Sequence, residues 1–181
     1  MVSIVPIVTI VPILYKRGKM FVRNPWVWLR RFRHRCGYGI HSPFAYAFVS
    51  QVLYCPGRYY ADARLYPLGE RLRHPRRTTI RRLMFRLANY WQPEEICAPA
   101  SLHDYLHAGC HQAHLTENDG NVVRMLGEKG RMDVYLGIDH DKATWRRVKE
   151  NPDMVVTFDL YDVGIAFSNV DLKRQNYIIN W

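Results

Sequence analysis

At Pro93 the residue pattern changes, and the pattern beyond it limits the folds open to this chain. From there on, short apolar runs alternate with amphipathic stretches and turn residues. Residues 95–98 read as a buried strand, and residues 104–108 as a short helix capped by Asp104. Residues 122–128 read as a helix that Gly130 ends, and residues 133–138 as a strand. Residues 142–150 have helical spacing and are stopped by Asn151 and Pro152. Strands follow at 154–158 and 164–167, and a last one at 176–181. Alternation of the two-residue and 3.6-residue periods predicts an α/β fold on a single sheet, with the final two strands an antiparallel pair.

Before Pro93 the chain is helical and basic. In residues 25–35, Trp26, Leu29 and Phe32 share one helical face and arginines line the other. This spacing reads as a helix packed on its own domain; a membrane surface or RNA phosphates are the alternatives. Residues 42–54 read as a second helix with Phe44, Phe48 and Val52 on one face, ended by Cys55, Pro56 and Gly57. Ser42 suits the cap of that helix and Pro43 its first turn, where a missing N–H costs nothing. Gly37 and Gly39 allow a sharp turn on the way in. On these local grounds His41 reads as a buried, structural histidine. Residues 71–77 form a basic linker, and residues 79–90 a third helix with Ile80, Leu83, Met84, Leu87 and Tyr90 as its buried face.

Charge divides the chain in the same place. Residues 1–92 hold 17 Lys and Arg against Asp62 and Glu70, whereas residues 93–181 hold 9 against 14 acids. A basic half of this kind suits an anionic partner, the acidic half of its own fold, or a sister subunit in a homo-oligomer. Cys36, Cys55, Cys97 and Cys110 have no Cys-x-x-Cys spacing, and with 48% apolar residues the chain needs no disulfide staples. Reduced thiols in a cytoplasmic protein fit that usage. Residues 1–15 are apolar but broken by Pro6 and Pro12, too short for a transmembrane helix and without the leading charge of a signal peptide. The expected organisation is therefore residues 1–19 as an upstream extension with no fold role, 20–92 as a basic helical segment, and 93–181 as the α/β core.

His103, His107 and His111 fall four residues apart, so one continuous helix would place them on one face as metal ligands, with His114 nearby. Gly109 interrupts that helix, and no acidic or thiolate ligand stands beside them. A solvated polar face, with no metal, is the expectation.

Three blocks, in order, resemble a group of bacterial class I S-adenosylmethionine-dependent methyltransferases. The first is residues 37–48, with His41, Ser42, Pro43 and Phe44 matching that family's His-Ser-Pro-Phe opening motif. The second is residues 82–93, similar to the helix leading into its first strand. The third is residues 154–167 with 173–180, similar to its closing antiparallel hairpin. The resemblance implies a Rossmann-like methyltransferase sheet, S-adenosylmethionine over the first strand, and a small-molecule methyl acceptor. Asp139, His140 and Trp145 resemble the Asp-x-His…Trp segment that lines the family's substrate side.

At the cofactor turn the family pattern is roughly Glu-x-Gly-Thr-Ser-x-Gly, where this chain reads Ile96-Cys-Ala-Pro-Ala-Ser-Leu-His-Asp. Ala98 stands near the place of the carboxylate, and Ala100 and Ser101 stand where the family has its glycine-rich turn. Glu117 or Asp119 stands for the acid that grips the ribose. The chain is also shorter than the family by about a helix and a strand, between residues 133–139 and His140. The resemblance thus implies a methyltransferase-like frame with a weakened or lost cofactor site. The alternative is a non-catalytic protein that presents its basic half to an anionic partner.

Overall fold

The computed structural model describes residues 25–34, 39–55, 57, 59, 61, 65, 73–117, 130–168 and 170–181. The extension at 1–19, Gly37, Asp119 and the helix predicted at 122–128 lie outside them.

Short helix α1 (Pro25–Arg30) runs into a 3-10 turn, Phe32–His34. Gly39 follows with φ +78°, a left-handed conformation that glycine adopts without a Cβ clash. Helix α2 (Pro43–Ala47) starts as its sequence predicts: the Ala45 N–H donates to the Ser42 hydroxyl at 3.4 Å, and Pro43 occupies the first turn. It continues as a π-helix, Phe48–Leu53, ending in a bond from Tyr54 N–H to the Val49 carbonyl at 3.0 Å. Helix α3 (Pro75–Trp91) begins four residues before the predicted start, because Pro75 suits a first turn and carries the basic stretch into the helix. Gln92 ends it in a left-handed conformation with φ 49°.

Strand β1 (Glu95–Cys97) follows, then a 3-10 turn (Ala100–Leu102) and helix α4 (His103–Gly109). Asp104 does not cap α4. The helix starts a residue earlier, leaving Asp104 inside the first turn, where its charge still suits the helix dipole. Then come β2 (His114–Thr116), β3 (Arg131–Leu136), α5 (Lys142–Glu150), β4 (Met154–Asp159), β5 (Val163–Ser168) and β6 (Gln175–Ile178). Helix α5 has the predicted bounds, because Asp141 accepts from Thr144 N–H at 3.0 Å at its start and Asn151 takes extended geometry at its end.

The six strands form one mixed sheet in the order β2-β1-β3-β5-β4-β6. Strands β2, β1 and β3 are parallel neighbours, and β6 runs parallel to β4. Only β5 is reversed, pairing antiparallel with β3 and with β4. The antiparallel closing pair is therefore β4–β5. The last two strands are not neighbours, contrary to the sequence expectation: β6 passes to the far side of β4, where an edge was open.

One sheet face is apolar across its central strands. Ile96, Met132, Val134, Ile165, Phe167, Val156 and Phe158 project into a core closed by Phe48, Val49 and Val52 of the π-helix and by Leu83, Met84 and Leu87 of α3. Phe44, Phe48, Trp91, Phe158 and Phe167 meet there at ring distances of 4.3–6.5 Å. Each fully buried phenylalanine contributes about 1.5–3 kcal/mol of burial. Tyr90, predicted on the buried face of α3, is instead 40% exposed, one residue before the last of the helix. The other sheet face packs α5: Trp145 and Val148 lie against Ile138, Met154 and Ala166. A Cβ on Gly164 would come within 2.6 Å of the Trp145 ring, so the absence of a side chain there makes room for the indole.

Candidate functional site

In an open sheet with helices on both faces, ligands bind beyond the C-terminal ends of the parallel strands, where the connections diverge. Here that point lies between β1 and β3. The chain leaves β1 through Ala98, Pro99, Ala100 and Ser101, and the sequence-predicted residues of the turn stay together. Ala98 is fully buried, and its N–H donates to the Thr116 carbonyl at 3.0 Å. Its carbonyl is bonded to His103 Nε2 at 2.8 Å. Ala100 and Ser101 are exposed at the start of the 3-10 turn. No described residue between 97 and 103 has a positive φ. Glu117 follows Thr116 directly, so the β1–β2 register brings it beside Ala98, where it is exposed.

Beyond β3, Gly137 turns the chain with φ +72°, and the next residues rise into Asp139 and His140. The Asp139 side chain is 9% exposed and that of His140 77% exposed, with Oδ2 and Nε2 3.4 Å apart. The other oxygen of Asp139, Oδ1, is buried and has no partner among the described residues. Trp145, grouped with this pair by resemblance, is instead a core residue. Its ring lies against Gly164, and its Nε1–H donates to Asp159 Oδ2 at 3.3 Å.

His41 is exposed rather than buried, since the cap is made by Ser42 and the inward positions are taken by Phe44 and Phe48. The histidines of the 103–114 stretch also separate. His103 anchors the β1 turn, while His107 and His111 stack edge-on at 4.8 Å on the surface. Among the described residues, no three metal-ligating side chains come together. No helix among them is long and apolar enough to cross a membrane.

Two charged clusters escaped the sequence reading. On the polar face of the sheet, Arg131 Nε donates to Asp133 Oδ1 at 2.6 Å, and Arg131 Nη1 lies 3.5 Å from Glu95 Oε1. All three are buried. Burial pushes the Asp133 carboxyl up from its ordinary value, against the pull of Arg131, and burial likewise raises the neighbouring Cys97 thiol. The available signal was the charged pair two residues apart in β3, which a strand must place on one face. The second cluster centres on Asp159 at the end of β4. Its Oδ1 accepts from Arg31 Nη1 at 2.8 Å and from Tyr161 N–H at 3.0 Å. Tyr161 is held at φ 86°, an uncommon conformation for a residue with a Cβ, beneath the Arg31 guanidinium at 5.4 Å. A groove of about 380 Å³ opens beside Asp159, lined by Arg146, Lys149, Asn176 and Tyr177 among others. Arg31 and Asp159 are 128 residues apart, and no local pattern links them.

The helix face carrying Trp26, Leu29 and Phe32 is largely exposed. These residues are 75%, 59% and 51% exposed. The sequence expectation of a domain-covering stripe fails here because α1 is held on the side of Val27 and Arg31, with Arg31 bonded to Asp159, which leaves Trp26, Leu29 and Phe32 outward.

No family model, no curated protein and no solved structure matches this chain. The class that the fold defines is a mixed α/β protein with a six-stranded, mostly parallel sheet.

Proposed function

We propose that this chain is a Rossmann-like, methyltransferase-like frame whose cofactor turn no longer holds S-adenosylmethionine. The frame reading is supported by the parallel strands with one reversed strand, β5, in a β4–β5 hairpin; of the block that resembles the closing hairpin, residues 154–167 form that pair, whereas residues 173–180 carry β6, parallel to β4. The loss reading is carried by one observation: the turn after β1 uses its own polar groups. Ala98 N–H is bonded to Thr116 and Ala98 C=O to His103, and Pro99 offers no N–H. Without glycine, the backbone neither reaches left-handed geometry nor lets a ligand approach as closely. The residues present do not fit the cofactor, so no methyl-transfer step is assigned to them. Titration calorimetry of the full chain with S-adenosylmethionine and S-adenosylhomocysteine tests this. No heat is expected at millimolar ligand; binding in the micromolar range would restore the enzyme reading.

A second reading is a non-catalytic protein that uses its basic half on an anionic partner. It is favoured by exposed Trp26, Leu29 and Phe32 standing beside exposed Arg30 and Arg33. The two readings are compatible, because the frame persists when its cofactor turn is lost. Salt-dependent retention on heparin supports the second reading, and absence of retention at low salt removes it.

A further inference from the structure

We propose that α1 and the 3-10 turn after it form a docking element for an anionic lipid bilayer surface. The inference rests on the anionic-partner reading and names the partner. On the inner side of the segment, Arg31 donates to the Asp159 carboxylate at 2.8 Å, and the His34 carbonyl accepts from Asn180 N–H at 2.9 Å. Arg31 N–H also bonds to the Val27 carbonyl at 3.0 Å, so helical geometry runs through the junction with the 3-10 turn.

With Val27 and Arg31 turned inward, helical spacing sends Trp26, Leu29 and Arg33 outward, with Phe32 and Arg30 flanking them. The exposures agree: Trp26 at 75%, Leu29 at 59% and Phe32 at 51%, with Arg30 and Arg33 exposed. Large apolar side chains gathered on one outward face and edged by arginines are the composition of a helix lying in a bilayer interface. Tryptophan suits the headgroup level, and arginine reaches back from there to lipid phosphates. The charge is complementary, since the half of the chain containing this element holds 17 Lys and Arg against two acids.

The observations favour a bilayer over a nucleic acid. Single-stranded nucleic acid is bound by aromatic faces that stack on bases. Leu29 stands at the centre of the outward face and has no such surface, whereas an aliphatic side chain gains from insertion among acyl chains.

Co-sedimentation of the full chain with phosphatidylcholine vesicles, with and without phosphatidylglycerol, tests the proposal. The expected result is binding to the anionic vesicles that weakens with salt and is at least roughly tenfold weaker on pure phosphatidylcholine. The variant W26S/L29S/F32S should lose roughly tenfold or more in vesicle affinity, with a cooperative urea transition measured alongside to establish that it is folded. Leu29→Glu alone should act in the same direction and guards against misfolding of the triple variant. Vesicle binding unchanged in both folded variants overturns the proposal. Retention on heparin or RNA without vesicle binding also overturns it, yet leaves the anionic-partner reading standing. Failure on vesicles and heparin alike removes both.

Discussion

Asp133 is the residue whose environment departs most from that of an ordinary surface carboxylate. Its side chain is 1% exposed, and it shares Arg131 with Glu95, so two acids compete for one cation on a buried sheet face. Burial raises its folded-state pKa above the unfolded value, near 4. The folded protein then holds this proton more tightly than the unfolded chain does. The Asp133 contribution is fully present below the unfolded pKa and is lost as pH rises through the folded value. Urea unfolding of the wild type and of Asp133→Asn across this acid range should show the stability difference, wild type minus variant, falling as pH rises. A difference that instead grows with pH would mean that the Arg131 bond outweighs burial. Removing Arg131 should be costlier than either acid substitution at neutral pH, because it strands two buried carboxylates.

Among the elements, α3 and α4 approach so closely that no side chain fits at Gly109. Gly109 ends α4 against α3 so closely that a Cβ would lie 2.4 Å from the Phe85 carbonyl oxygen and 3.0 Å from Asn89 N. Both are helix backbone, which cannot swing aside as a side chain can. The Gln92 side-chain amide also donates to the Gly109 carbonyl at 2.9 Å, tying the end of α3 to the same point. Gly109→Ala should destabilise the protein by about 1–3 kcal/mol in urea unfolding. A loss within about 0.5 kcal/mol of zero would show that the helices part readily. The sequence marks this glycine only as a break in the histidine spacing, since close approach of two backbones leaves no trace in either segment.

At the scale of the whole molecule, the C-terminal residues join the two halves. Trp181 Nε1–H donates to the Leu53 carbonyl at 3.3 Å, and the Arg76 guanidinium lies 4.5 Å over its ring. Arg76 is in turn paired through two nitrogens with Asp162. The Tyr54 hydroxyl donates to the Asn180 carbonyl. The basic helices and the acidic sheet are thus stitched by cation, ring and carboxylate, and part of the charge split is satisfied inside the fold. Trp181→Ala should lower unfolding stability by about 1–3 kcal/mol and do so in a single cooperative transition. Two separated transitions would show that the helices and the sheet fold independently.

What the sequence determined by itself is local. Caps and stops carry their own hydrogen-bond chemistry, so Ser42–Pro43 opens α2, and α5 runs between Asp141 and Asn151 as read. Short apolar runs between turn residues placed β1, β3, β4 and β5 to within a few residues, and their alternation with helical stretches pointed to an α/β sheet, because strands buried on both faces read as apolar runs. Strand order, the reversal of β5 between β3 and β4, and the passage of β6 to the far edge came only from tertiary structure. So did the burial of Trp145 under Gly164 and the closing of the Ala98 turn on Thr116 and His103. The outward turn of Trp26, Leu29 and Phe32 belongs with them: an amphipathic period states that a helix has two faces, not which one the fold will bury. Arg31 meeting Asp159 decided that, through a contact between residues too far apart in the chain to share any pattern.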